Sequence, residues 1–342
     1  MDVIVHGGAG SVPTEPKRRL AVIEVAAETG SAARTPVDAV RNAVRVLETS
    51  PRFNAGVGGA VQSDGVVRTD AGIMTSDRSA GAACAMPGVR HAVDVARAVM
   101  EETPHVLLAG ERAVAFAADY GIETDVDLWT DRTRERWAAL SPPEGGPRDQ
   151  LEWVRERFGE TADDPEGRDL ADDAVERIST SSDQTDRDRA ERGPTGRDPE
   201  DHDSAGHGPA GHGPRDRDTV GAVARDGERI AAATSTGGRW LALAGRVGDV
   251  PQIGSGFYCS PAGGASATGA GEEIARTTLS RRAVDHLESG ACAQDAADRA
   301  IEEFAELTGS TAGVIVADPE GGLGSAYNSE LMQTKALAAN WR

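Results

Sequence analysis

HGPRDRDTVGAVA, His212–Ala224, contains a seam. A charged, polar tract lies to its left and an apolar, β-like run begins on its right, with a small nucleophile, Thr219, as the first residue of that run. From Ser179 to Asp218 there is no Leu, Ile, Val, Met, Cys or aromatic residue. Such a segment cannot bury enough apolar surface to offset the entropy of ordering it, so 179–218 reads as a disordered linker. A structureless loop of that length inside a compact domain would be anomalous, whereas an exposed strap between two halves is not. His202, His207 and His212 recur every five residues within it, a spacing that reads as a solvated repeat rather than a metal site. The chain thus divides into 1–178, the linker 179–218, and 219–342.

Thr219 alone is an ordinary strand residue. A cut in front of it would create a chain start carrying both a hydroxyl and an α-amino group, the latter with a pKa of about 7.7–8.0. That amine could serve as base for its own hydroxyl, the threonine form of the nucleophile–base pair. An exposed strap immediately upstream suits such a cut.

The 342 residues carry a net charge of -20, from 56 acidic and 36 basic side chains. That balance repels a nucleic-acid backbone and argues against such a partner. Only Lys17 and Lys335 are lysines; the other basic residues are arginines. An acid-rich, lysine-poor surface fits a halophilic protein, whose self-repulsion is screened by salt; an ordinary acidic protein is the plain alternative. Cys84, Cys259 and Cys292 are widely spaced with no CxxC, which points to small buried apolar groups rather than disulfides or zinc. No apolar run reaches the ~20 residues of a membrane span, and no leader segment is evident. The expected location is cytoplasmic.

DVIV reads as a strand followed by a glycine loop, HGGAGS. PKRRLAVIEVAAETG and TPVDAVRNAVRVLE read as helices, with Pro16 and Pro36 in their first turns and Thr35 as an N-cap. FNAGVGGAV is a second glycine loop, GVVRTDAGIM a strand and HAVDVARAVMEE a helix. After the linker, TVGAVARDGERIAAATSTGG reads as a hairpin turning at Asp226-Gly227. GEEIARTTLSRRAVDHLESG and CAQDAADRAIEEFAEL read as helices, and TAGVIVADPEGGLGSAYNS as a final hairpin. The order implies an α+β fold, a helix–sheet–sheet–helix sandwich.

Three further stretches carry chemistry. HGGAG follows a strand and precedes a helix, where phosphate binds, but it lacks the spacing of either nucleotide fingerprint. ATGAGEE runs into a helix start, where amides can hold an oxyanion. GRVGD offers Arg246 and Asp249, either a surface ion pair of little value or a fork for a carboxylate beside an acceptor for an ammonium, the two charges of an α-amino acid.

HGGAG at His6–Gly10, FNAGVG at Phe53–Gly58, DTVGAVA at Asp218–Ala224, AAATSTGG at Ala231–Gly238, GRVGD at Gly245–Asp249 and TGAGE at Thr268–Glu272 occur in this order. As a set they resemble the plant-type L-asparaginase/isoaspartyl peptidase family of N-terminal nucleophile hydrolases, which includes the aspartylglucosaminidases. The resemblance implies a four-layer αββα sandwich and a precursor that cleaves itself between Asp218 and Thr219 into two chains that stay together. It implies Thr219 as nucleophile, Thr236 as its orienting partner, Thr268 and Gly269 as the oxyanion hole, and Asn54 as an active-site asparagine. Arg246 would hold the substrate α-carboxylate and Asp249 its α-amine, with Gly271 in the same loop. It further implies hydrolysis of L-asparagine or β-aspartyl dipeptides through a β-aspartyl ester, no cofactor, and a dimer of αβ units. A structural sodium ion would rest on the carbonyls of Leu47, Glu48, Ser50, Phe53, Ala55 and Val57. Two departures stand out: RWLALA follows STGG where relatives carry a short polar segment with a lysine, and TSDRS replaces an Asp-Gly turn. An aspartylglucosaminidase-like enzyme, a non-catalytic amino-acid-binding scaffold and a nucleotide-dependent enzyme remain as alternatives.

Overall fold

The computed structural model describes residues 1–158 and 219–338. Asp218, the linker 179–218 and its three histidines lie outside the described residues. The chain is a mixed α and β fold built on two sheets.

Strand β1, Asp2–Gly10, does not stop at Val5 as expected but runs on through HGGAG. Its register against a neighbour shifts between His6 and Ala9, a bulge made possible by Gly8, at φ 107°. The helices α1, Pro16–Ser31, and α2, Pro36–Thr49, start at their prolines. Thr35 caps α2, its hydroxyl accepting from the Asp38 N–H at 3.1 Å. There follow β2 (Arg68–Thr75), β3 (Ala80–Pro87), α3 (Ala92–Glu102), β4 (Leu107–Ala109), α4 (Gly110–Asp119), α5 (Asp131–Ala138) and α6 (Pro147–Phe158).

After the linker come β5, Val220–Asp226, and β6, Arg229–Thr236. Asp226 pairs with Arg229, so the hairpin turns on Gly227 and Glu228, one residue later than expected. β7 (Phe257–Ser260) and β8 (Gly263–Gly269) follow. The single helix expected over 271–290 is two, α7 (Gly271–Thr277) and α8 (Leu279–Glu288), because Thr278 adopts the left-handed conformation at φ 53°. α9 spans Ala293–Thr308. β9 (Ala312–Ala317) and β10 (Leu323–Tyr327) form the expected last hairpin, and β11 (Leu331–Leu337) crosses to pair with β1.

The larger sheet has the order β11-β1-β5-β6-β2-β3-β4 and the smaller β10-β9-β8-β7. Side chains alternate in their allegiance, as the two-residue period of a strand demands. Val3, Val5, Ala222, Ala224, Ala231 and Ala233 pack with α1 and α2 through Ile23, Val40, Val44 and Leu47. Ile4, Val223, Ile230 and Ala232 join a separate cluster with Phe257, Cys259, Ala265 and Ala267 of the smaller sheet. That second cluster continues to Val284, Leu287, Ile301 and Phe304 of α8 and α9. Close approach of the sheets requires small residues: a Cβ on Gly72 of β2 would stand 1.9 Å from the Phe257 ring. Cys84 and Cys259 are buried as expected, whereas Cys292, just ahead of α9, is exposed. No helix among the described residues is long and apolar enough to cross a membrane.

Candidate active site

Val220 pairs with Ser235, so Thr219, one residue earlier, continues that register opposite Thr236. Both threonines are nearly enclosed, 8% and 4% exposed. The FNAG loop is laced onto the end of β6. Thr236 Oγ1 donates to the Asn54 carbonyl at 3.4 Å and accepts from the Gly238 N–H at 3.1 Å. Asn54 Nδ2 donates to the Gly238 carbonyl at 2.6 Å, while its Oδ1 accepts from the Ala60 N–H at 2.7 Å. The structure thus brings Thr219, Thr236 and Asn54 together.

Thr268 and Gly269 end β8. Thr268 is fully enclosed, and its hydroxyl accepts a long 3.4 Å hydrogen bond from the Ala9 N–H of the β1 bulge. Gly269 takes φ 140°, and a Cβ there would lie 2.6 Å from both Ala312 Cα and the Thr311 carbonyl oxygen; only glycine fits.

Arg246 does not pair with Asp249. Its Nε and Nη2 reach Glu272 Oε1 at 2.9 and 2.7 Å. Asp249 is 5% exposed, and its Oδ2 has no hydrogen-bond partner among the described residues. Gly271 fits between them: a Cβ would be 2.7 Å from Asp249 Oδ1 and 2.9 Å from Arg246 Nη2. Gln62 holds this segment in place, its Nε2 donating to the Arg246 carbonyl at 3.0 Å and its Oε1 accepting from the Gly245 N–H at 2.8 Å. A fixed guanidinium and an enclosed carboxyl with an unused oxygen are complementary to a zwitterionic amino acid.

The electrostatics favour a ligand that brings its own charges. Burial pushes the Asp249 carboxyl up to about 7, although Arg246 works against it. Glu272 moves the other way: burial would raise it, but the charge and hydrogen bond of Arg246 outweigh burial and leave it below the usual carboxylate range. Asp70 on β2 is also pushed up to about 7 by burial, against the Ala85 N–H and Arg246. It pairs in register with Thr236 and so connects the threonines with the Arg246 cluster. Sequence reasoning missed Asp70, Glu272 and Gln62. The available signal was a carboxylate in the middle of an otherwise apolar strand, RTDAGIM, since burying one is costly without a purpose.

Ionised Asp249 is what an ammonium needs, and this group holds its proton until about pH 7. KM for a zwitterionic substrate is expected to fall roughly tenfold per unit as pH rises toward 7 and then level off. Only the folded state holds the proton between about pH 4 and 7, so the same group lowers the stability of the ligand-free protein as pH rises through that window. KM-against-pH curves for the wild type and Asp249→Asn check this; a wild-type KM that is flat from pH 5 to 8 rules it out.

The 47–57 turn crowds carbonyls together. Leu47, Glu48 and Ser50 oxygens accept from the Ser50, Val57 and Phe53 N–H groups at 3.1, 3.0 and 3.4 Å, and each retains a second lone pair. A Cβ on Gly56 would be 2.2 Å from the Glu48 carbonyl oxygen and 2.6 Å from that of Arg90. The Glu48 side chain is enclosed, its Oε1 accepting from Ser235 Oγ at 2.6 Å and the Val93 N–H at 3.0 Å. Burial pushes it up to about 8, against those two donors. Among the described residues no group of three or more His, Cys, Asp or Glu is placed to hold a metal.

A family model described as Asparaginase matches residues 1–340. A plant-type L-asparaginase of Pyrococcus furiosus is 36% identical over 342 residues, covering 96% of this chain and 94% of that protein. An isoaspartyl peptidase of Salmonella typhimurium is 33% identical over 345 residues, covering 96% and 93%. An isoaspartyl peptidase/L-asparaginase of Danio rerio is 32% identical over 344 residues, covering 98% and 91%.

Proposed function

Since this chain belongs to the asparaginase family of amide hydrolases, we propose that it releases aspartate from L-asparagine or β-aspartyl dipeptides with Thr219 as a self-generated N-terminal nucleophile. The observation that carries this reading is the position of Thr219, at the head of a core strand, opposite Thr236 and directly after the linker. The two lengths 1–178 and 219–342 would be halves of one domain, and the contacts of helices and sheets support an αββα order.

In maturation the Thr219 hydroxyl attacks the Asp218 carbonyl, the acyl group moves from nitrogen to oxygen, and water hydrolyses the ester. The freed amine then takes the hydroxyl proton as the oxygen attacks the substrate side-chain carbonyl. Thr268 Oγ1 and the Gly269 N–H would face the oxyanion, Thr236 and Asn54 would hold the nucleophile, and Arg246 and Asp249 would clamp the α-carboxylate and α-ammonium. The proton leaves with ammonia or a peptide amine, and a second water releases aspartate from the β-aspartyl ester. The carbonyls of the 47–57 turn, with lone pairs to spare and glycine at Gly56 to let them converge, would suit a monovalent cation in a structural role.

The test combines intact mass of the purified protein with ammonia release from asparagine and glutamine and aspartate release from a β-aspartyl dipeptide. Two fragments meeting at 218/219, with ammonia from asparagine but not glutamine, are expected. A chain that stays whole and releases nothing would reject the reading.

A further inference from the structure

Arg246 lies between β6 and β7, in a stretch with no helix or strand to fix its course. Leu241, earlier in that stretch, takes the left-handed conformation at φ 56° although it is not glycine. Such a residue persists only where its surroundings over-determine the backbone. Here the surroundings are the segment 61–63. The Val61 carbonyl accepts from the Leu241 N–H at 2.7 Å, and the Ser63 N–H donates to the Ala242 carbonyl at 2.9 Å. Two side chains then grip the next turn of the loop. Ser63 Oγ accepts from the Ala244 N–H at 2.9 Å and donates to Gln150 Oε1 of α6 at 2.8 Å. Gln62, 1% exposed, takes the Gly245 N–H on Oε1 at 2.8 Å and donates from Nε2 to the Arg246 carbonyl at 3.0 Å.

The Gln62 amide has one orientation that fits. Arg68 Nη1 stands 2.8 Å from Oε1, and a guanidinium only donates, as does the Gly245 N–H; the atom facing both must be the oxygen. The atom facing the Arg246 carbonyl must then be the nitrogen. Arg68 is itself held by a two-pronged contact with Asp64, Nη1 to Oδ1 at 3.0 Å and Nη2 to Oδ2 at 2.7 Å. A chain of contacts thus runs from Asp64 through Arg68 and Gln62 to the main chain of Arg246.

We propose that Gln62 is a positioning residue that gives the site its preference for a free α-carboxylate, by clamping the main chain of Arg246 through its Nε2–H. The proposal rests on the reading of Arg246 as the carboxylate fork. Glu272 holds the guanidinium end of Arg246 and Gln62 holds the backbone end, so the fork has little freedom left to lose when substrate arrives. A two-pronged contact gains most from that, since both N–H bonds must line up at once. The clamp acts on binding; the threonines that would carry the chemistry are not among its contacts.

Gln62→Glu is the isosteric test. The carboxylate still accepts from Arg68 and the Gly245 N–H, and Arg68 beside it keeps it ionised, but it turns an oxygen instead of an N–H toward the Arg246 carbonyl. KM for asparagine, and the Kd of L-aspartate measured by calorimetry, are expected to rise about tenfold with kcat changed by less than about twofold. A substrate whose α-carboxylate is amidated should keep its kcat/KM. Gln62→Met, which neither donates nor repels, should show a smaller rise of the same kind, and it carries the test if the Glu variant fails to melt cooperatively. An unchanged Kd for L-aspartate in a folded variant overturns the proposal. So does an equal loss on the amidated substrate, because Gln62 would then serve the fold as a whole. A wild type that neither binds L-aspartate nor hydrolyses asparagine would instead reject the reading of the Arg246 site, whereas a binding, active wild type with an indifferent Gln62 rejects only the clamp.

Discussion

Thr219→Ala is expected to yield a single uncut chain of about the full 35.6 kDa with asparagine hydrolysis lowered ~10⁴–10⁶-fold, the scale seen when a nucleophile is removed. Alanine removes at once the oxygen that would break the Asp218–Thr219 bond and the oxygen that would attack substrate. Folding should survive, because the substitution deletes only a small group at the start of β5; a stability change of about 1 kcal/mol is the scale to expect. Thr219→Ser is the partner experiment: it keeps the hydroxyl and should still split, more slowly. Denaturing gels, intact mass and ammonia release read all of this directly. If Thr219→Ala still gives two fragments meeting at 218/219, Thr219 is not the maturation nucleophile.

The second large effect is at Arg246. Arg246→Ala removes the fork proposed to hold the substrate carboxylate and leaves Glu272, which Arg246 now neutralises at 2.7 Å, as an unpaired carboxylate beside Asp249. Truncating one member of such a pair costs about 2–5 kcal/mol, so kcat/KM for asparagine should fall ~30–5000-fold, most of it in KM. Arg246→Lys should recover little, because a point charge cannot reproduce two parallel N–H bonds. A substrate whose α-carboxylate is amidated provides the control: its already poor turnover should be indifferent to the substitution. An unchanged KM for asparagine in Arg246→Ala would remove the residue from carboxylate binding.

Much of this was legible in the chain and some was not, for physical reasons. The helices with proline starts and a threonine cap were visible because their signals are local. β8, GGASATG, was invisible as a strand because it has almost no β-branched residues. Glycine and alanine form it because the other sheet comes so close, with a Cβ on Gly264 only 3.0 Å from Ile230, and packing overrides propensity there. The break at Thr278 carries no glycine or proline, so nothing in the sequence separated α7 from α8. At the site, the motif residues were found through resemblance. The choice of Glu272 rather than Asp249 as partner of Arg246 depends on where the start of α7 is placed, which spacing cannot say. His6 looked like part of a phosphate loop until β1 proved to run through it.

The order of the larger sheet has one last consequence. β1 lies between β11 and β5, and β2 lies beside β6, so strands from before and after the linker are interleaved like the fingers of two hands. Neither hand can form this sheet alone. Folding of the uncut chain is a unimolecular event, independent of concentration. If the backbone opens before Thr219, as proposed, recovery from denaturant becomes an encounter between two molecules, slowed by dilution and open to aggregation. The mature protein would then persist by the slowness of its unfolding rather than by ready refolding, and heat damage to it would be largely irreversible although its precursor could fold again.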